Sequence, residues 1–147
     1  MILTITPPEE TALQAHLHKL RTQLHEDPEL SWQEHRTTRL VRRELEALCL
    51  EPVPLGLPTG TAALLRGALP GPTVGLRADL DALPITERTG AEFSSRVPGV
   101  MHACGHDIHM AALLGAARLL AARREQLAGN VLFLFQPAEE AATGAMQ

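Results

Sequence analysis

The sequence feature that most constrains the fold is an apolar run near the C-terminus, NVLFLFQP, at residues 130–137. A continuous apolar run that stops at a proline is typical of a strand buried on both faces of a sheet. The segment before it is rich in alanine and leucine, the strongest helix formers, and predicts a helix from about Asp107 to Arg124. A long helix followed by a buried strand predicts an α/β layered sheet.

Two amphipathic helices are predicted in the N-terminal part of the chain. The first begins at Pro7, where a helical turn tolerates proline, places leucines three and four residues apart, and ends before Pro28. For the second, Ser31 followed by Glu34 has the form of a capping box. This pattern predicts a helix over residues 32–48.

The middle of the chain is predicted to contain two short strands. Prolines and glycines mark residues 51–61 as a loop, and the apolar runs TAALLRG and TVGLRAD follow, separated by the turn ALPGP. This arrangement predicts a hairpin of two strands. Residues 85–100 show little periodicity and are expected to form a loop that leads to the long helix.

Polar residues follow the predicted strands and precede the long helix. They are Asp79 and Asp81 after TVGLRA, Glu139 and Glu140 after NVLFLFQP, and Cys104 and His106 before the helix. Because polar sites in α/β sheets gather at the carboxyl ends of strands, we expect the three groups to meet at one edge of the sheet.

The side chains in these groups are those that bind divalent metal ions. Cys104 and His106 are separated by one glycine, which lets the backbone bend so that thiolate and imidazole face one ion. A structural zinc site would usually contain a second Cys/His pair, whereas carboxylates occur here, so an open catalytic site is favoured. The side chains of Glu139 and Glu140 are expected to point apart, so that one binds metal while the other faces the substrate water.

Each of these residues also has a purely structural interpretation. Cys104 could be a small buried hydrophobic residue, Asp107 could cap the long helix, and His109 could simply pack. The aspartates and glutamates could belong to caps or solvated turns. Four histidines and cysteines within the eight positions 102–109 favour the metal site instead.

Composition excludes several other functions. The net charge of −4, with one Trp and three Phe, provides no basic surface and few rings for binding nucleic acid. No apolar run approaches the roughly 18 residues of a membrane span, and no basic residue precedes the short apolar N-terminus, so a cytoplasmic location is expected. Cys49 and Cys104 are expected to be reduced thiols, and a redox protein is disfavoured because no Cys-x-x-Cys is present.

Three segments together resemble one family, the metal-dependent amidohydrolases of the zinc-aminopeptidase-like superfamily. They are GLRADLDALPI (75–85), PGVMHACGHDIHMAALLGAA (98–117) and VLFLFQPAEE (131–140). The stretch RTQLHEDPELSWQEHRTTRLVRREL (21–45) is similar to the opening helices of the same family. That family includes hippurate hydrolase, N-acyl-L-amino-acid amidohydrolases and auxin-conjugate hydrolases.

The resemblance implies a role for each matched residue. Cys104, His106 and Glu140 match metal ligands, and Glu139 matches the general base. Asp81 matches an aspartate that supports the metal site, and we group it with the catalytic residues. Candidates of lower weight are Asp79, at a position where relatives often have a histidine ligand, and His102, Asp107 and His109 around the ligands. The implied cofactors are two divalent metal ions, Zn, Mn, Co or Ni, that activate water against the amide of an N-acyl amino acid or peptide-like substrate.

The resemblance also implies an α/β, three-layer zinc-peptidase-like catalytic domain with a mixed central sheet. Relatives are more than twice as long, carry two further histidine ligands, and form homo-oligomers through a dimerisation domain. Residues 1–147 are therefore expected to be the N-terminal portion of the catalytic domain, without the dimerisation domain and the C-terminal part. We expect a metal-dependent amidohydrolase whose activity is impaired or absent in this chain alone. The alternative is a non-catalytic metal-binding fragment of such an enzyme.

Overall fold

The structure, a computed structural model, describes residues 5–146 of the chain. Its elements, in chain order, are α1 (Pro7–Glu26), α2 (His35–Ala47), β1 (Glu51–Val53), β2 (Thr61–Arg66), β3 (Leu69–Asp79), α3 (His106–Ala121) and β4 (Ala128–Gln136). Single 3-10 turns occur at Arg124–Gln126 and Gly144–Met146. Within the described range, no helix has both the length and the apolar character needed to cross a membrane.

The four strands form one mixed sheet in the order β1-β2-β4-β3. Strand β4 is parallel to β3 and antiparallel to β2, and β1 and β3 are the edge strands. In the register of the parallel pair, Asp79 of β3 lies opposite Gln136 of β4, so these two strands end at the same edge. The α/β fold with a mixed sheet is confirmed.

The predicted hairpin is wrong, because β2 and β3 do not pair with each other. Strand β4 lies between them, and the short connection after β2 already contacts β4, since the Gly67 amide donates to the Gly129 carbonyl at 2.9 Å. Strand β4 is the most apolar of the four, and in the central position the backbone groups on both of its edges are hydrogen-bonded. Sequence spacing between two strands does not show whether a third, distant strand will separate them.

Two other local predictions need correction. The segment predicted as a loop contains β1, whose Pro52 is tolerated because β1 is an edge strand. Helix α2 begins at His35 rather than at residue 32, and the predicted capping box is not formed. Ser31 and Glu34 instead make hydrogen bonds with residues far away in the sequence.

The hydrophobic core lies between one face of the sheet and the helices. Helix α3 packs on β3 and β4, α2 packs on β2, and α1 packs on α3. Phe133 and Phe135 of β4 are fully buried, whereas Leu132 and Leu134 on the opposite face are only half-buried. This strand was predicted to be buried on both faces. Within the described residues, only the face that carries Phe133 and Phe135 is fully buried. Gly115 of α3 allows the close approach of α1, because a Cβ there would lie 2.8 Å from a methyl group of Leu17.

The loop between β3 and α3 lacks helices and strands, as predicted, but the Glu87 side chain orders it. Only 4% of that side chain is exposed. Its carboxylate accepts hydrogen bonds from the Ser95 amide at 2.6 Å and from the Thr89 hydroxyl. The ring Nε2 of His25 lies 3.3 Å from the same carboxylate and connects the loop to α1.

These contacts predict a pH-dependent contribution to stability. Burial by itself would raise the pKa of Glu87, but the hydrogen bonds from Ser95, Thr89 and His25 lower it from 4.5 to about 2. A carboxyl whose pKa is depressed by folding stabilises the folded chain fully above its unfolded pKa, and this contribution is lost as the pH falls through the folded pKa. In urea unfolding between about pH 5 and about pH 2.5, the parent should therefore lose more stability than Glu87→Gln.

The matched control for this prediction is Glu46→Gln, because Glu46 is an exposed carboxylate on α2. The unfolding free energy of the Glu46→Gln variant should depend on pH in the same way as that of the parent. If Glu87→Gln also showed the same pH dependence as the parent, the predicted contribution of Glu87 would be absent.

Candidate metal centre

A histidine and two glutamates from different parts of the fold converge at the edge where β3 and β4 end. The Nε2 atom of His106, at the start of α3, lies 3.9 Å from Glu139 Oε2 and 3.9 Å from Glu140 Oε1. One ligand atom from each of the three side chains lies within 4.8 Å of the other two. Two atoms bonded to one zinc ion at about 2.0–2.2 Å can be at most about 4.4 Å apart, so each histidine–glutamate pair fits a shared ion.

The hydrogen bonding of these side chains also fits a cation. Glu140 Oε1 is buried and has no hydrogen-bond partner among the described residues. Buried carboxylate oxygens are normally paired, and a divalent ion would pair this one. An imidazole nitrogen with two carboxylate oxygens is a donor set suited to zinc, manganese, cobalt or nickel.

The orientation of His106 is fixed by the backbone of Asp81. The ring Nδ1 lies 2.8 Å from the Asp81 carbonyl oxygen, and since a carbonyl only accepts, Nδ1 carries the proton and donates it. This contact leaves the lone pair of Nε2 directed toward the two glutamates. Metal-binding histidines are commonly oriented in this way by a hydrogen bond to the other ring nitrogen.

The Asp81 carboxylate is fully buried and holds the backbone of both glutamates. Its two oxygens accept hydrogen bonds from the Glu139 amide at 3.0 Å and the Glu140 amide at 2.9 Å. The hydroxyl of Ser31 donates to it as well, at 2.7 Å. These contacts connect the Asp81 carboxylate to the backbone of both glutamates and to the linker that carries Ser31.

The expectation that the two glutamate side chains point apart is wrong, because both reach the same histidine nitrogen. Side chains alternate only in extended strands, and here the chain leaves β4 through Ala138, whose φ of 50° is left-handed, and enters a turn. The two glutamates differ in exposure instead. The Glu139 side chain is 38% exposed and that of Glu140 18%, so Glu139 is the more open to solvent.

Cys104, which was expected to converge with His106 and Glu140, lies near Glu140 but outside the group of three whose ligand atoms lie within 4.8 Å of one another. It is exposed, which excludes the interpretation as a buried hydrophobic residue. A hydrogen bond to the Glu140 carboxylate raises the pKa of the Cys104 thiol, and the negative charges of nearby acidic residues add to this effect. A metal ion bound there would compete with the thiol proton, since only the thiolate is a strong ligand.

Two of the lower-weight candidates lie at the periphery of the centre. Asp79 accepts two hydrogen bonds from the guanidinium of Arg77, at 2.8 and 3.0 Å, and is therefore already paired. His109 is exposed on α3, and its ring centre is 6.0 Å from that of His106. Neither side chain belongs to the group of three that converges.

The other two, His102 and Asp107, are buried behind the centre. Asp107 accepts hydrogen bonds from Arg21 at 2.9 Å and His25 at 2.8 Å, and it does not cap α3. Both ring nitrogens of His102 lack a hydrogen-bond partner among the described residues. Burial lowers the pKa of His102 to about 4, so the ring is neutral near pH 7.

Comparison with known proteins agrees with this geometry. Residues 75–147, which contain His106, Glu139 and Glu140, match the model of peptidase family M20/M25/M40. The chain belongs to this family.

Two curated relatives and one solved structure illustrate the similarity of this M20 chain. It is 50% identical to N-acetylcysteine deacetylase of Bacillus subtilis, over 92% of this chain and 36% of that protein. It is also 50% identical to thermostable carboxypeptidase 1 of Saccharolobus solfataricus, over 83% of this chain and 31% of that protein. The Bacillus subtilis YXEP protein, described as a dinuclear metal binding peptidase from the M20 family, superposes with a TM-score of 0.90 at 49% identity, over 93% of this chain and 38% of that one. The chain thus spans about a third of the length of these proteins.

Sequence reasoning on the M20 chain missed Ser31 and Glu34 as parts of the centre. Their three-residue spacing suggested a helix cap, and that was the only local signal they carried. The Glu34 carboxylate in fact accepts a hydrogen bond from the Ala138 amide at 2.8 Å, across 104 positions of sequence. A contact over such a distance has no local sequence signature.

Replacing Asp81 by asparagine should weaken metal binding. Asparagine has one acceptor oxygen, so its NH2 group would face the amide of Glu139 or Glu140 and leave a buried donor unpaired, at a cost of about 1–3 kcal/mol. The glutamates would then shift relative to His106. We expect isothermal titration with zinc to give a Kd at least about tenfold higher than that of the parent. Asp27→Asn, at an exposed carboxylate that pairs with Arg36, should bind zinc as the parent does, and an unchanged Kd for Asp81→Asn would rule out a positioning role for Asp81.

Proposed function

We propose that this chain forms part of the active site of a metal-dependent amidohydrolase that cleaves the amide bond of N-acyl amino acids or peptide-like substrates. The observation that supports this most directly is the convergence of His106, Glu139 and Glu140 within 4.8 Å. The relatives named above are a deacetylase and a carboxypeptidase, and both names describe cleavage of an amide bond. Small acylated amino acids are therefore the proposed substrates.

His106, Glu140 and Cys104 are the proposed metal ligands. His106 Nε2 and Glu140 Oε1 lie 3.9 Å apart, and Cys104 lies close enough to Glu140 for this carboxylate to raise the pKa of the thiol. Two ions are proposed, zinc, manganese, cobalt or nickel, because the YXEP protein is a dinuclear metal binding peptidase. Bound ions would polarise the amide carbonyl and lower the pKa of water.

Glu139 is the proposed general base. It is the more exposed glutamate, and it lies next to the metal ligands at the mouth of the centre. Its carboxylate would accept a proton from the attacking water while the water oxygen bonds to the amide carbon. The same proton would pass to the departing amine as the C–N bond breaks, which releases the free amino acid and a carboxylic acid.

The domain proposal follows from the length of the relatives. Residues 1–147 are proposed to be the N-terminal portion of a catalytic domain. Three ligand side chains cannot complete the coordination of two ions that each take four or more ligands. Turnover by this chain alone should therefore be slow or absent, and a metal-binding module without catalysis is the second candidate function.

The two glutamates should respond differently to substitution. Any release of amino acid from hippurate or N-acetyl-L-cysteine that the parent chain supports should fall by about 10²- to 10⁴-fold in Glu139→Gln, whereas the affinity for zinc or manganese should change less than in Glu140→Gln. Glu140→Gln should raise the metal Kd itself, because an amide oxygen is a weaker ligand than a carboxylate. Titration calorimetry and an assay of the free amino group measure the two effects separately.

The same measurements decide between the two candidate functions. Binding of two ions with turnover that depends on Glu139 supports the amidohydrolase. Binding of one ion without turnover supports the non-catalytic module. A parent chain that binds no divalent ion would contradict both.

A further inference from the structure

The linker between α1 and α2, residues 27–34, lies against the metal centre although it contributes no ligand. It runs beside the chain just after β3, where the Ala82 amide donates to the Glu29 carbonyl at 2.8 Å and Leu30 forms a parallel bridge with Ala82. The linker is thus attached to the segment that carries Asp81. Its later side chains reach the segment that carries the tandem glutamates.

Glu34 is the linker residue whose burial is hardest to explain by stability alone. Its side chain is fully buried, yet it has no ion-pair partner among the described residues. One carboxylate oxygen accepts from the Ala138 amide at 2.8 Å, and the other accepts from the Thr59 hydroxyl at 2.8 Å. Burial of a carboxylate is costly, and an apolar side chain of similar size would avoid that cost.

Glu34 and Asp81 together bind three consecutive backbone amides. The Glu34 carboxylate accepts a hydrogen bond from the Ala138 amide, and the Asp81 carboxylate accepts hydrogen bonds from the amides of Glu139 and Glu140. Every amide at the start of this turn therefore donates to a buried carboxylate. Such a row of contacts fixes the direction in which the two glutamate side chains leave the backbone.

Trp32 holds the other end of the same segment. Its indole N–H donates to the Thr143 hydroxyl at 2.9 Å. The backbone of Trp32 is left-handed, with a φ of 64°, a conformation that costs about 1–2 kcal/mol for a residue with a side chain. Ala138 and Ala142 are left-handed as well, with φ of 50° and 52°. Strain on both sides of a contact persists only where surrounding contacts enforce it, and it commonly occurs at functional sites.

We propose that Glu34 and Trp32 are positioning residues for the metal centre, which fix the backbone of residues 138–143 so that Glu139 and Glu140 both face His106. The proposal rests on the proposed function, because it assigns the linker a role in holding the carboxylates for a metal ion. Ligands must be held within about 0.5 Å of their working geometry, and the three amide contacts supply that constraint.

The test compares Glu34→Ala with Glu34→Gln, using cobalt(II) as the probe. The glutamine oxygen can still accept from Ala138 and its NH2 group can donate to the Thr59 oxygen, whereas alanine removes both contacts. Glu34→Ala should raise the cobalt Kd by about 10- to 100-fold and change the visible absorption of the bound ion. Glu34→Gln should restore both readouts to within about threefold of the parent. Glu46→Ala, at an exposed glutamate of α2, should bind cobalt as the parent does.

Hydrogen exchange separates this proposal from the proposed function. In the metal-free chain, the amides of residues 138–140 should exchange faster in Glu34→Ala than in the parent and recover their protection in Glu34→Gln. This readout remains decisive if the parent binds no cobalt, an outcome that would refute the proposed function alone. The proposal would be overturned if Glu34→Ala matched the parent in cobalt affinity, in the absorption spectrum of bound cobalt and in amide exchange.

Trp32→Phe provides a second variant in case Glu34→Ala does not fold. Phenylalanine keeps an aromatic ring at this position and removes the N–H that donates to Thr143. We expect Trp32→Phe to weaken cobalt binding and to speed the amide exchange of residues 138–143. Both changes should be smaller than those predicted for Glu34→Ala. No change in either quantity would exclude Trp32 from the positioning role.

Discussion

The centre depends on one buried carboxylate, that of Asp81. It accepts hydrogen bonds from two backbone amides and one hydroxyl. Removing this charge from water is costly, and the hydrogen bonds offset the cost only if the strand ends stay together. The same residue orients His106 through its carbonyl oxygen. Asp81 therefore connects the histidine and the two glutamates.

Sheet topology places Asp81 where it can do this. Because β3 and β4 are parallel neighbours and end in register, the residues after both strands emerge at one edge. The central position of β4 thus determines the site as well as the core.

Sequence patterns predicted what depends on local composition and missed what depends on distant partners. The Ala/Leu-rich helix, the apolar strand and the candidate site residues His106, Glu139 and Glu140 carried strong local signals. The strand order, and the use of Glu34 as an acceptor for Ala138, depend on contacts between distant residues. The directions of the Glu139 and Glu140 side chains follow from a left-handed backbone at Ala138, where alanine gives no sign of that conformation.

The edge position of β3 has a consequence for self-association. An open strand edge exposes backbone donors and acceptors that can pair with another chain and start aggregation. In the first part of β3, Pro70 and Pro72 carry no N–H, and the register with β4 is interrupted between Leu69 and Thr73. Regular strand addition at this edge is therefore hindered over the first residues of β3, and the stretch from Thr73 to Asp79 is the part that can template it.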